Sequence, residues 1–320
     1  MKRKVLSLVL VALMVISMAA CGNNPTTEDD TYTVGIVQLL QHVALDQATN
    51  GFKAALTEKL GDKVTFDVQL ASGEATNCST IVTKFINNNV DLIMANATPA
   101  VIAAKEATST IPIVGTSVTD YVSAEAAIVA SNEAPGGNVT GYSDMSDISA
   151  HVELTKKICP EAKTVAIVYC SAEPNSVIQG KQATTLYTEA GFTAITLTAS
   201  DITTLPSIVT SACEQADVLY IPTDNLFAEN MEAVKNIAEP AKIPVICGEG
   251  GMVQSGATAT VSIDYYTLGY KAGEMAYKIM VEGADPATTP IGFMKAEDME
   301  LVINESNVAA LGITIPEDLK

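Results

Sequence analysis

From residue 33 onward the chain alternates short apolar runs with longer stretches whose apolar residues recur every three or four positions. The run Val34-Gly35-Ile36-Val37 predicts a buried strand. Residues 44–60 predict a helix with Leu45, Phe52, Leu56 and Leu60 on one side, closed by Gly61. Residues 64–70 alternate as a strand does, and 75–88 predict a helix with Ile81, Val82 and Phe85 turned inward. Strands at 91–95 and 111–115 follow, with a helix at 100–107 between them. The turn Pro135-Gly136-Gly137-Asn138 leads through Val139-Thr140-Gly141 towards a helix at 149–159, and the rhythm starts again. Strands are predicted at 164–169, 192–197, 218–221 and 244–246, and helices at 177–190, 204–215, 226–238 and 266–281, the last ended by Gly283. Strands separated by helices specify parallel sheets covered on both faces, so the fold class is α/β. Two such blocks with no Gly/Ser linker between them predict two similar lobes that face one another across a cleft.

The first residues have a different pattern. Lys2, Arg3 and Lys4 precede an uncharged apolar run over 5–20, and the small pair Ala19-Ala20 abuts Cys21. This is the build of a secretory signal peptide over residues 1–20, and the cysteine at its end resembles a bacterial lipobox, although Met18 stands where such motifs usually carry leucine. That resemblance implies a lipidated Cys21 and a chain held at the outer side of the cell membrane. The alternative is a spanning anchor, but sixteen apolar residues fall short of the ~20 that a spanning helix needs. Residues 21–31, polar and acidic, then read as a flexible spacer.

Composition narrows the class. With 320 residues there is room for one large or two medium domains at roughly 100–200 residues each. Hydrophobic content of 48% against 17% charged supports a sizeable core. The formal net charge is −19, and loss of the basic head with the signal would leave the remainder more acidic still. Such a surface repels phosphate backbones and argues against nucleic acid. Beyond Cys21, the cysteines Cys78, Cys159, Cys170, Cys213 and Cys247 are scattered, without a C-x-x-C pair or neighbouring histidines. They imply neither a zinc site nor a fully paired disulfide framework. Cys170 and Cys247 end apolar runs and read as small buried hydrophobes.

No catalytic apparatus is visible. There is no phosphate-binding Gly-Lys-Ser/Thr, and the glycine-rich 248–256 lacks the dinucleotide-binding spacing. The only histidines are His42, expected to face the cleft, and His151, expected to be a surface or packing residue on its helix. Neither an enzyme activity nor a cofactor is expected.

In open α/β sheets, ligands bind beyond the carboxyl ends of the strands. The loops there carry Gln41-His42-Val43-Ala44-Leu45-Asp46, Asn96-Ala97-Thr98-Pro99, the stretch 115–121, Glu173-Pro174-Asn175-Ser176, Pro222-Thr223-Asp224-Asn225 and Gly248-Glu249-Gly250-Gly251. Hydroxyls and amides at helix starts, where backbone N–H groups are free, suit an anion such as a carboxylate. Asp224 or Glu249 opposite could hold an ammonium group. Each of these residues is also an ordinary helix cap on its own; six loops converging is the functional signal. Tyr121 and Phe227 either flank a ligand ring or pack in the core.

These same segments, from residue 33 to the end, resemble the periplasmic-binding-protein-like lipoproteins of ABC transporters, in the branch associated with tryptophan and tyrosine uptake. The marks are Gln41-His42-Val43-Ala44-Leu45-Asp46, Asp91-Leu92-Ile93 before Ala97-Thr98-Pro99, Ile111-Pro112-Ile113-Val114 before Val118-Thr119-Asp120, and Pro135 to Gly141. Further on come Glu173-Pro174-Asn175-Ser176, Tyr220-Ile221-Pro222-Thr223-Asp224-Asn225 and Ile263-Asp264-Tyr265-Tyr266-Thr267-Leu268-Gly269. Gln41 replaces the family's usual acid and Val43 its usual proline, which leaves the exact ligand open.

The resemblance implies two Rossmann-like lobes joined by a multi-stranded hinge and closing on a small molecule. The chain would cross near Tyr142, return near Ile263 and cross again near Met299. The first lobe is then 32–142 plus 264–298, and the second is 143–263 plus 299–320. Carried over by position, His42, Leu45, Thr98, Thr119, Asp120, Asn175, Ser176, Thr223, Asp224 and Glu249 would line the site. The implied function is a monomeric receptor that hands an amino acid, aromatic by analogy, to an ABC permease and its ATPase. A sugar or nucleoside cargo and a surface adhesin or sensor role stand as alternatives.

Overall fold

A computed structural model of the chain describes residues 31–319. The expected signal peptide and lipidated Cys21, with all but the last residue of the spacer, lie outside the described residues.

The first lobe opens with β1 (Tyr32–Gln38), α1 (Val43–Leu60), β2 (Val64–Leu70), α2 (Ala75–Asn87), β3 (Leu92–Asn96), α3 (Thr98–Ala107), β4 (Ile113–Val118) and β5 (Val139–Ser143). β3 and β4 are buried along their whole length, which explains why neither shows the apolar–polar alternation of a half-exposed strand. α2 turns Cys78, Val82 and Phe85 inward, while Ile81 is only half-buried. α3 starts at Thr98, earlier than the pattern predicts, because Pro99 fits the first helical turn, where its missing N–H costs nothing.

The second lobe repeats the plan with α4 (Ile148–Ile158), β6 (Thr164–Cys170), α5 (Pro174–Glu189), β7 (Thr193–Ala199), α6 (Leu205–Gln215) and β8 (Val218–Ile221). There follow α7 (Asn225–Glu229), α8 (Met231–Ala238), β9 (Val245–Cys247), α9 (Gly250–Ser255) and β10 (Ala259–Ile263). The single helix predicted over 226–238 is two, broken at Asn230, whose side chain donates to the carbonyl of Leu226 at 2.8 Å. Asparagine competes for backbone partners in this way and interrupts a helix. The chain ends with α10 (Tyr265–Glu282), β11 (Gly292–Phe293), β12 (Met299–Ile303) and α11 (Glu305–Leu311).

Each sheet has six strands, in the orders β11-β5-β4-β3-β1-β2 and β12-β10-β9-β8-β6-β7. Every pairing is parallel except that of β12 with β10. Both sheets therefore reverse direction of growth at their first strand, between β1 and β3 and between β6 and β8. Crevices form at such switch points. The chain passes between the sheets three times: after β5, after β10 and between β11 and β12. This is the α/β two-lobe architecture that the resemblance implies.

Core clusters cover both faces of each sheet. Phe85, Ile93, Val101 and Tyr121 pack on one side of the first, with Ile36, Phe52, Met94 and Ala276 on the other. In the second lobe Val168, Leu219, Phe227 and Met252 oppose Ile167, Tyr187, Tyr220 and Ile246. Tyr121 and Phe227 are thus core residues. So is His151, fully enclosed between the Tyr220 hydroxyl at 3.1 Å and the Val261 carbonyl at 2.9 Å. Cys78, Cys170 and Cys247 are buried and unpaired.

One packing detail ties α10 to the first lobe. α1 and α10 cross at a seam of glycines, where Gly269 lies on the backbone of Ala48, Gly273 on that of Phe52 and Gly51 on that of Tyr266. A methyl group at any of the three would overlap backbone atoms of the opposite helix. Overpacking of this kind is typically destabilising.

Candidate ligand site between the lobes

A small cavity lies between the lobes, with about 10 Å³ open to the centre of a water-sized sphere. The first lobe contributes His42, Ala44 and Leu45 from the start of α1, and Ser117 and Thr119 from the end of β4. Asp144 and Tyr265 come from the segments where the chain changes lobe. The second lobe contributes Asn175, Thr223, Asp224, Asn225, Ala228 and Glu249.

The start of α1 is held rigidly. Asn96 donates to the Leu45 carbonyl at 2.8 Å and to the Thr49 hydroxyl at 3.0 Å, while Gln38 donates to the Asp46 carboxylate at 2.7 Å. Yet His42, at the N-cap, makes no side-chain cap. The first N–H groups of an α-helix have no partner within it, so an 18-residue helix presents uncapped donors to the cavity. The His42 Nε2 donates to the Asn225 Oδ1 at 3.3 Å, because the Asn225 amide nitrogen is itself a donor, to Glu173. Burial holds the imidazole well below its usual range, at about 4, and its Nδ1 is buried without a partner. His42 is therefore neutral and offers a bare acceptor. Ser117 adopts a left-handed φ of 56°, and its hydroxyl is also buried and unpartnered. Strain of this kind clusters at functional sites.

The second lobe is organised differently, for its acids cap their own helices. Asp224 accepts from the Phe227 N–H at 2.9 Å and from the Cys170 N–H at 2.6 Å, joining α7 to the end of β6. Glu249 accepts from the N–H groups of Gly251 and Met252 at the start of α9. Glu173 accepts from the Leu226 N–H at 3.0 Å and from the Asn175 amide at 3.1 Å. The Oδ1 of Asn175 is left buried and unpartnered, as is the Thr223 hydroxyl.

Burial raises three of the lining carboxyls. Asp144 stands at about 6, although the Tyr265 and Thr119 hydroxyls donate to it at 2.8 and 3.4 Å. Glu249 stands at about 7, raised by burial first and by the charge of Asp144 after it. Asp224 is raised by burial and then by Glu173. No lysine or arginine lines the cavity.

The lobes are closed on one another. Besides the His42–Asn225 bond, Gln179 donates to the Thr119 hydroxyl at 2.8 Å. Lys181 pairs with Glu125 at 2.7 Å on the exposed rim. Gly251 sits so near α1 that a Cβ there would lie 2.9 Å from the Val43 Cβ and 3.2 Å from the Ala44 nitrogen.

Of the residues singled out in the sequence, His42, Leu45, Thr119, Asn175, Thr223, Asp224 and Glu249 line this cavity. Three do not. Only Ala97 separates β3 from α3, too short a loop to carry Thr98 out to the cleft, and its hydroxyl is enclosed. Asp120 bends back to accept from the N–H groups of Val122 and Ser123 at 2.7 and 3.1 Å, and faces a separate hollow beside Asn132. Ser176 lies behind Asn175, with its hydroxyl on the Asp224 carboxylate. The lining residues that the sequence reading did not single out are Ala44, Ser117, Asp144, Asn225, Ala228 and Tyr265.

Known proteins place this site in context. Residues 33–320 match the family described as ABC transporter substrate binding protein. The chain is 37% identical, over 97% of its length and 92% of the relative's, to a tyrosine-binding protein of Clostridioides difficile. Among solved structures it resembles a Streptococcus pneumoniae ABC domain in complex with L-Trp, with a TM-score of 0.86 and 32% identity over 90% of this chain and 97% of that one. The ligand-free, open structure of a substrate-binding protein with adhesive properties from Clostridium difficile covers the same shares at 37% identity, but its TM-score is 0.69. Similarity in shape is thus greater to the liganded structure, although identity in sequence runs the other way. With a match across nearly all of its length, this chain belongs to the family of ABC transporter substrate binding proteins.

Proposed function

We propose that this chain is the lipid-anchored, extracytoplasmic receptor of an ABC importer, which binds an aromatic amino acid, tyrosine or tryptophan, and delivers it to a membrane permease. The observation that carries this reading is the polarity of the closed cavity. One wall offers the uncapped start of α1, suited to a carboxylate, and the opposite side offers buried carboxyls suited to an ammonium. Leu45, Ala44, Ala228 and the ring of Tyr265 supply apolar surface for a side chain. The relatives named for tyrosine and bound to L-Trp support the same class. Anchoring through Cys21 and export rest on the basic head and apolar run before it. No helix among the described residues is long and apolar enough to cross a membrane.

L-Tyrosine or L-tryptophan at a hundredfold excess over its dissociation constant should stabilise the chain by ~2.7 kcal/mol, read as a thermal shift. Silence with both, alongside a response to a sugar or nucleoside, would overturn the assigned cargo.

Closure supplies a second test. Gly251→Ala places a methyl 2.8 Å from the Glu249 carboxylate within the second lobe and, when the lobes meet, against Val43 and Ala44 as well. The expected result is a ligand affinity ~5–100-fold weaker, matching an overpacking cost of ~1–3 kcal/mol, with unchanged circular dichroism. Unaltered affinity in calorimetric titration would show that the lobes need not approach this closely.

A further inference from the structure

Gln179 is enclosed in the second lobe and is not among the residues that line the cavity, yet it touches residues on both sides of the cleft. Its place follows from the helix that carries it. α5 begins at Pro174, so Asn175 in the first turn reaches the cavity, and Gln179, four residues on, lies on the same face one turn behind. One unambiguous partner fixes the polarity of its amide. The Thr223 N–H can only donate, and it meets Oε1 at 3.3 Å; the Ser146 hydroxyl donates to the same oxygen at 3.0 Å. Nε2 therefore faces the other way and donates to the Thr119 hydroxyl at 2.8 Å. Having accepted there, Thr119 turns its one hydrogen to the Asp144 carboxylate at 3.4 Å, whose other oxygen takes the Tyr265 hydroxyl at 2.8 Å.

These partners divide by lobe. Thr223 follows β8 and Ser146 precedes α4, so both oxygen contacts stay on the second lobe when the cleft opens and keep the amide aimed across it. Thr119 follows β4 in the first lobe, so the N–H contact forms only on closure. The other contacts between the lobes differ in kind. Lys181 and Glu125 pair on the exposed rim, where an ion pair contributes little. His42 and Asn225 both line the cavity, so their bond is inseparable from ligand contact.

We propose that Gln179 is a positioning residue for ligand capture, whose N–H locks the Thr119 hydroxyl into the cavity wall as the lobes meet and so slows release. This rests on the receptor reading above and deepens it. In the open cleft the Thr119 hydroxyl is free to turn, as donor or as acceptor. After closure its hydrogen belongs to Asp144 and one lone pair to Gln179, so the ligand meets a single remaining acceptor, in one orientation. Both groups are shielded from water, Gln179 wholly and Thr119 at 2% exposure, so loss of the bond leaves a buried group unpaired. That cost falls on the closed state alone, because water takes the place of Thr119 when the cleft is open.

The test is a double-mutant cycle on the purified full chain, with L-tyrosine and L-tryptophan as probes, affinity read by calorimetry and rates by stopped flow. Gln179→Met keeps the length of the side chain but has no N–H. It is expected to weaken binding ~5–100-fold, almost wholly through faster dissociation. In a Thr119→Val background, where the bond is already gone, the effect of Gln179→Met should be at least ~3-fold smaller. In a Thr119→Ser background, which keeps the hydroxyl, the full effect should return. Loss of the acceptor for Thr223 is common to all backgrounds and cancels from the cycle. An undiminished effect in the Thr119→Val background would overturn the proposal and leave the receptor reading intact, as would a parent-like dissociation rate in Gln179→Met. Gln179→Glu, which keeps the acceptor for Thr223 and Ser146 but has no N–H when ionised, takes the place of Gln179→Met if that variant does not fold. Failure of the parent chain to bind either amino acid would instead remove the receptor reading, and this inference with it.

Discussion

Replacing Asp224 by alanine is expected to destabilise the ligand-free chain by about 2–4 kcal/mol. Its two carboxylate oxygens serve two separate backbone donors, Phe227 at the start of α7 and Cys170 at the end of β6. Loss of a helix cap costs about 1 kcal/mol. A buried N–H left without an acceptor costs about 1–3 kcal/mol more, and Cys170 is almost wholly enclosed. Asp224→Asn should recover only part of the loss, since its oxygen can cap α7 but its amide nitrogen meets the Cys170 N–H donor to donor. Urea unfolding without ligand measures this directly. A loss below about 0.5 kcal/mol would show that the carboxylate does not join these elements. From the sequence, Asp224 reads as a partner for a ligand ammonium; the structure gives both oxygens protein partners, and any effect on affinity would act on top of the structural one.

The second large effect is on pH dependence. Asp144 at about 6 and Glu249 at about 7 both stand above the usual carboxyl range because burial penalises their charge. The closed chain thus holds protons more tightly than the unfolded chain does. Its stability is fully present below about pH 4, where both forms are protonated, and falls as pH rises through the two raised values. The total, on the order of a few kcal/mol, is an upper bound, because opening the cleft returns both groups to water before the lobes unfold. Ligand-free chain should therefore be more compact and more resistant to urea at pH 5 than at pH 8. Saturating amino acid should shrink that difference. Equal scattering radii at the two pH values without ligand would show that these carboxyls stay hydrated.

The sheets and most helices were legible because their signals are local. β3 is a wholly buried run and α2 has an inward stripe, and each could be read within about a dozen residues. β11, two residues long, and β12, half-exposed and antiparallel, have no such signature and exist through their pairing with β5 and β10. The lining of the cavity divides in the same way. Residues at helix starts, such as His42 and Asn175, could be named from loop position alone. Asp144 and Tyr265 could not, since they meet hydroxyl to carboxylate at 2.8 Å from positions 121 residues apart. Thr98 failed in the opposite sense, for a helix start says nothing about the length of the loop before it.

The glycine seam between α1 and α10 has a consequence for the order in which the molecule is built. The lobe that begins the chain cannot be finished until residues 265–293 have been made, after the stretch of the second lobe from α4 to β10. Until Gly269 and Gly273 reach Ala48 and Phe52, α1 has an uncovered apolar face and β5 lacks β11 as a neighbour. Contacts of such long sequence separation are slow to form. A nascent chain would therefore have most of its second lobe, all but β12 and α11, in place while the opening lobe is still unfinished. Exposed apolar surface makes such stages the ones most prone to aggregate.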